Sequence, residues 1–332
     1  MNSYDKCLQC PRKCLAERNE GKTGFCRETS ELKIASACLH FGEEPPLTVF
    51  NGSGTIFFTG CTLRCSFCQN YQISQQGMGS GVSIQDFARM CLVLQEKGAE
   101  NINLVTGSHH IPKIAEGLSL AKKEGLKIPV AWNSSAYEST ESLELLKGLV
   151  DIWLPDLKTL NPEAAKKLFQ AEDYPLVAEK AVSWMIKNSP LKIASIKKGG
   201  EEKEKMLSGV IIRHLVLPGL MDDSEITLAW LKVHADSKAY ISLMSQYTPV
   251  PFKENPSDLK KRNESLKTLE NRLLNKNEDL KIQQIIEDYE FECLFYQELS
   301  DDTSWLPDFE REQPFSNALA KPVWHWKNGF VC

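Results

Sequence analysis

The chain has 332 residues and is 42% hydrophobic, enough for a sizeable core in one large or two modest domains, which excludes wholesale disorder. A formal net charge of -5 and a pI near 5.8 give no global attraction for phosphate backbones. Lys197-Lys198 and Lys260-Lys261-Arg262 therefore read as solvated surface, and nucleic acid is not an expected partner. The start is polar, and no later run approaches the ~18 apolar residues of a membrane span, so a cytoplasmic protein with no membrane partner is expected.

In chain order, residues 1–50 form a Cys-rich N-terminal segment too short for much core of its own. Cys7, Cys10, Cys14 and Cys26 are spaced C-x2-C-x3-C-x11-C, a full four-thiolate set. That set is a candidate second metal site, with zinc and an iron–sulfur cluster undistinguished and free thiols as the alternative. His40 and Glu43-Glu44 lie just before the next region as capping or site residues. Of the eleven cysteines, eight fall within the first 68 residues, a clustering better explained by metal ligation than by disulfides in a reducing compartment. Cys38, Cys91, Cys293 and Cys332 read as free thiols.

Over residues 51–250, short apolar runs alternate with amphipathic stretches. Strands are predicted at 55–59, 102–106, 128–133, 151–157, 210–217 and 239–244, and helices at 83–97, 112–124, 139–147, 162–169, 177–187 and 224–235. Asn161-Pro162 is a cap and first-turn signal, and Gly98 and Gly125 are stop signals. This rhythm predicts an α/β fold with a parallel sheet, of the partial (β/α)6 barrel type, since the remaining sequence lacks the two further units of an eight-stranded barrel. Residues 251–332 form a C-terminal extension, with charged helix to 288, an extra strand at 289–296, and an aromatic, Pro-rich tail.

Directly after the first predicted strand, Gly60-Cys61-Thr-Leu-Arg-Cys65-Ser-Phe-Cys68 places three thiols in eight residues. Four-iron clusters normally take four thiolates, so three ligands leave one iron open for chemistry. A zinc site closed by a distant residue is the alternative.

The stretch from Gly52 to Tyr71 containing this C-x3-C-x2-C triad, the segment Arg213-His-Leu-Val-Leu-Pro-Gly219, the N-terminal Cys-Leu-Gln-Cys-Pro-Arg-Lys-Cys and the tail motifs Trp305-Leu-Pro-Asp-Phe309 and Pro322-Val-Trp-His-Trp326 resemble the radical S-adenosylmethionine (SAM) superfamily. The resemblance is narrower to proteins related to the pyruvate formate-lyase activating enzyme. It implies a 4Fe-4S cluster on Cys61, Cys65 and Cys68 that reductively cleaves SAM to a deoxyadenosyl radical. It also implies a flavodoxin- or ferredoxin-type electron donor and hydrogen abstraction from a substrate such as a glycyl-radical enzyme.

SAM contacts are then expected at strand ends. They fall on Phe67 beside the third cysteine, Thr106 and Gly107 after the second strand, Asn133 and Ser135 after the third, and Asp156 and Lys158 in Pro-Asp-Leu-Lys after the fourth. The fifth strand offers His214, although alternation forbids Arg213 and His214 from both facing inward. Gln246-Tyr247 follow the sixth, and His109 and His110 are either substrate-side or exposed loop residues. A functional alternative from another class is a metal-stabilised electron-transfer or scaffold protein that never cleaves SAM.

Overall fold

The computed structural model describes residues 4–303 and 305–331; Cys332 lies outside the described residues. The strands in chain order are β1 (Lys33–His40), β2 (Ser53–Phe58), β3 (Ser80–Gly81), β4 (Ile102–Val105), β5 (Val130–Ser134), β6 (Ile152–Pro155), β7 (Lys192–Lys198), β8 (Glu201–Leu215), β9 (Tyr240–Met244), β10 (Leu294–Gln297), β11 (Ala320–His325) and β12 (Gly329–Phe330). The helices are α1 (Pro45–Thr48), α2 (Tyr71–Ser74), α3 (Ile84–Glu96), α4 (Ile111–Lys123), α5 (Thr140–Glu144), α6 (Pro162–Phe169), α7 (Tyr174–Asn188), α8 (Met221–His234), α9 (Pro256–Leu266) and α10 (Lys276–Tyr289).

These strands share one sheet in the order β10-β9-β8-β6-β5-β4-β2-β1-β11-β12, with β3 beside β1 and β7 beside β8. From β2 to β10 every pairing along this path is parallel. All residues of β2, β4, β5 and β6 are buried, as expected of parallel strands covered on both faces. The helices start where local chemistry satisfies their free N–H groups: the Ser83 hydroxyl accepts from Asp86 N–H, and Asn161 accepts from Glu163 and Ala164 N–H with Pro162 in the first turn. Trp132 and Trp153, fully buried on β5 and β6, anchor the core, where truncation of such a side chain costs about 3–5 kcal/mol.

The sheet is largely parallel, as the βα rhythm predicts, but no pairing closes β10 onto β12 among the described residues. Three features lie outside the sequence expectation. β1 pairs antiparallel with β2, drawing the Cys-rich segment into the sheet. The tail returns as β11 to cover the other edge of β1. β8 begins at Glu201, because Gly199 and Gly200, with φ of 60° and 87°, make the tight turn of a hairpin with β7. No helix among the described residues is long and apolar enough to cross a membrane.

Candidate active site

The whole of β2 is buried, which fixes where the chain leaves the sheet. At Gly60, φ is 81° and a Cβ would lie 2.4 Å from Glu28 Cγ and 2.9 Å from the Cys26 carbonyl oxygen, so glycine is required. The Gly60 N–H donates to the Ile73 carbonyl at 3.0 Å, closing the cysteine loop at its base. Within the loop, Cys68 N–H donates to the Cys65 carbonyl at 3.2 Å and Ser66 N–H to the Leu168 carbonyl at 3.0 Å. Gln75 Nε2 also donates to the Cys65 carbonyl, at 2.9 Å. Held this way, Cys61, Cys65 and Cys68 all line one cavity of about 660 Å3.

The three thiols are free. Burial pushes the Cys65 thiol up, and the nearby Lys158 ammonium opposes the rise. Burial also pushes the Cys68 thiol up, against the Ser74 hydroxyl 3.3 Å from its sulfur. Thiols in such a setting ionise when metal replaces their protons.

Strand ends bring a line of charge to the same cavity. Lys158 Nζ donates to Asp156 Oδ2 at 2.8 Å, and Arg213 Nε donates to Asp156 Oδ1 at 2.8 Å. The Arg213 guanidinium also donates to Asn133 Oδ1 and lies 3.7 Å from Glu43. Burial opposes ionisation of Asp156, but Arg213 and Lys158 outweigh it and hold the carboxyl below its usual range. Lys158 is raised in turn: burial works against the ammonium, and Asp156 and then Cys65 overcome it. Glu43 and Glu44 are pushed up by burial, with Arg213 opposing. Tyr174 fixes the backbone here, its hydroxyl donating to the Asp156 carbonyl at 2.7 Å and accepting from Lys158 N–H at 2.9 Å.

The donor set suits the open cluster. Three free thiols face one cavity, and no fourth cysteine lines it among the described residues. Nor do any three His, Cys, Asp or Glu side chains among the described residues converge as ligands of a single metal ion. A cubane distributes its thiolates over different irons and does not need that convergence.

The family model of the Radical SAM superfamily matches residues 55–231. The chain belongs to the radical SAM superfamily. This radical SAM enzyme is 32% identical over 270 residues to an uncharacterized protein of Methanocaldococcus jannaschii, covering 79% of this chain and 71% of that one. It is 28% identical over 131 residues to the pyruvate formate-lyase-activating enzyme of Listeria monocytogenes serovar 1/2a, covering 37% of this chain and about half, 53%, of the relative. The solved structure of Streptococcus suis SuiB bound to S-adenosylmethionine matches with a TM-score of 0.46 at 14% identity, over 72% of this chain and 48% of that chain. The family implies a 4Fe-4S cluster and SAM.

Of the remaining sequence candidates in this radical SAM enzyme, Phe67, Thr106, Ser135 and Gln246 line the cavity. Thr106 has φ of 62°, an outlying conformation for a β-branched residue and a feature concentrated at functional sites. Gly107 is not on the cavity wall; a Cβ there would meet Ile114 Cδ1 at 2.5 Å and Trp132 at 2.8 Å, so packing accounts for the glycine. His214, expected at the site from the sequence, does not line the cavity. Arg213, Leu215 and Leu217 face the cavity, while His214 points the other way, its Nδ1 2.8 Å from the Leu157 carbonyl and its Nε2 3.0 Å from the Ser224 hydroxyl.

His109 and His110 are neither substrate-side nor exposed. Both are buried, and His109 Nε2 lies 2.7 Å from the Thr59 carbonyl. Tyr247 is buried against Phe67, ring centroids 6.1 Å apart.

Among the N-terminal cysteines, Cys7, Cys10 and Cys26 are buried and Cys14 is exposed, and a second metal there is without support. The segment is tied instead through buried Arg18, which donates to the carbonyls of Glu28 at 3.0 Å and His109 at 2.7 Å and lies 3.6 Å from Cys7 Sγ. The tail also builds the site, a role not expected from its motifs: Trp305, Pro307, Phe315 and Leu319 wall the cavity, with Phe315 packed on Phe57 at 5.4 Å between centroids. Its aromatic, Pro-rich composition was the available signal.

Proposed function

We propose that Cys61, Cys65 and Cys68 hold a 4Fe-4S cluster and that SAM binds along Phe67, Thr106, Asn133, Ser135, Asp156 and Lys158. One observation carries the reading: three free thiols and the Asp156–Lys158 pair line a single cavity. When bound, the reduced cluster and SAM supply a deoxyadenosyl radical that takes hydrogen from a substrate.

The chain's own residues orient and enclose. Lys158 gives the SAM carboxylate a charge-assisted hydrogen bond, and Asp156 keeps that ammonium protonated and placed. Arg213 occupies Asn133 Oδ1, which leaves the Asn133 amide N–H groups and the Ser135 hydroxyl for ribose oxygens. Trp305, Phe315 and Leu319 give the cavity an apolar wall.

We read the six parallel strands β2, β4, β5, β6, β8 and β9 as a six-unit partial barrel carrying this site. The 28% identity to the Listeria pyruvate formate-lyase-activating enzyme supports a protein substrate; we read that substrate as of the glycyl-radical type and the electron as coming from a flavodoxin- or ferredoxin-type protein. The test is anaerobic reconstitution with iron and sulfide, reduction with dithionite and an assay for deoxyadenosine from SAM. Wild type forms it and Cys65→Ala does not; equal yields from the two would refute the assignment.

A further inference from the structure

A second depression, about 1150 Å3, lies on the other side of the cysteine loop. Arg64 and Ser66, both inside the triad, line it, and Ile73 and Ser74 line both this groove and the active-site cavity. The partition between the two is therefore about one residue thick at Ser74, whose hydroxyl is 3.3 Å from Cys68 Sγ. A hydrogen-bonded chain also runs from the groove to the loop: Arg262 Nη2 donates to Gln75 Oε1 at 2.9 Å, and Gln75 Nε2 donates to the Cys65 carbonyl at 2.9 Å.

The groove's charge is unusual for an acidic chain. Six cations, Arg27, Arg64, Lys167, Lys253, Lys261 and Arg262, line it against three acids, Glu28, Glu254 and Asp258, and of the cations only Arg262, held by Glu254, enters an ion pair among the described residues. Arg27, Lys167, Lys253 and Lys261 are exposed. Arg64 is partly buried with its Nε unpartnered. An anionic surface laid in the groove would meet these unpaired cations.

We infer that this groove docks an acidic one-electron donor protein, with Ser74 and the Cys65–Cys68 turn as the entry point for the electron. The inference rests on Cys61, Cys65 and Cys68 being cluster ligands. One electron leaves the reduced donor, whose flavin hydroquinone becomes semiquinone, and reduces the cluster by one unit; no covalent bond forms or breaks. Charge complementarity of this kind acts mainly on encounter and is weakened by salt.

The probe is flavodoxin, titrated calorimetrically in its oxidised form against reconstituted wild type and Lys253→Glu/Lys261→Glu, at low and high salt. The double variant binds at least tenfold more weakly at low salt and loses most of the salt dependence. In parallel, deoxyadenosine formation with dithionite, a small reductant that needs no docking, is equal in the two proteins, which also shows that the variant is folded and loaded. Unchanged flavodoxin affinity and salt dependence in the variant would overturn the inference. A wild type that makes no deoxyadenosine with dithionite would count against the proposed reaction, and the binding titration separates the two failures.

Discussion

Replacing Lys158 by Met removes the one ammonium that faces both Asp156 and the cysteine loop while keeping the length and apolar stem of the side chain. The fold should tolerate it. The backbone at this position is held independently through Tyr174, and Asp156 retains its 2.8 Å contact with Arg213, so no buried carboxylate is left unpaired. On the proposed binding of SAM, what is lost is a charge-assisted hydrogen bond to its carboxylate, worth about 1.5–3 kcal/mol. That corresponds to a SAM Kd weaker by roughly 10- to 140-fold. Equilibrium dialysis of labelled SAM against anaerobically reconstituted protein measures this directly, with the cluster's visible absorbance confirming equal loading. A Kd within twofold of wild type at equal loading would refute the assignment of Lys158 to SAM.

Gly60→Ala places a Cβ at 2.4 Å from Glu28 Cγ in a left-handed backbone, and the conformational and overlap costs sum to about 2–5 kcal/mol. Thermal unfolding should show a lower Tm, and iron per chain after reconstitution should fall; an unchanged iron content would dissociate Gly60 from the cysteine loop. His214 is held by burial at about 4 against an ordinary 6.5, so it is neutral in the fold. Its contribution is fully present above pH 6.5 and is lost as pH falls toward 4, because the unfolded state binds the extra proton across that window. Denaturant titrations of His214→Gln between those limits should show a pH slope shallower by about one proton, about 1.4 kcal/mol per pH unit. His40, also lowered to about 4 by burial, retains its share of the slope. A slope equal to that of wild type would mean that His214 is already protonated in the fold.

Much of this architecture is legible in the sequence because two signals coincide. The runs that became β2, β4, β5 and β6 are short and mostly apolar, and helix starts such as Ser83 and Asn161-Pro162 carry their own caps. The three cysteines could be placed because their spacing is local. Register was not so accessible: Arg213 and His214 are both polar neighbours in one strand, and a shift of one residue exchanges the face each occupies. β1 was missed since Lys-Ile-Ala-Ser-Ala-Cys-Leu-His shows no polar alternation, its middle six residues being buried on both faces. The cavity wall made by Phe315 and Leu319 depends on β11 pairing with β1 across nearly the whole chain, a contact no local pattern reveals.

The proposed reaction requires that a cluster on Cys61, Cys65 and Cys68 keep one iron free for SAM. Electron paramagnetic resonance of the dithionite-reduced, reconstituted protein, with SAM carrying 17O in its carboxylate, tests that contact itself. The expected result is a change in the cluster signal on adding SAM and a hyperfine coupling to the labelled oxygen. A cluster signal indifferent to SAM, with no coupling to the label, would contradict it.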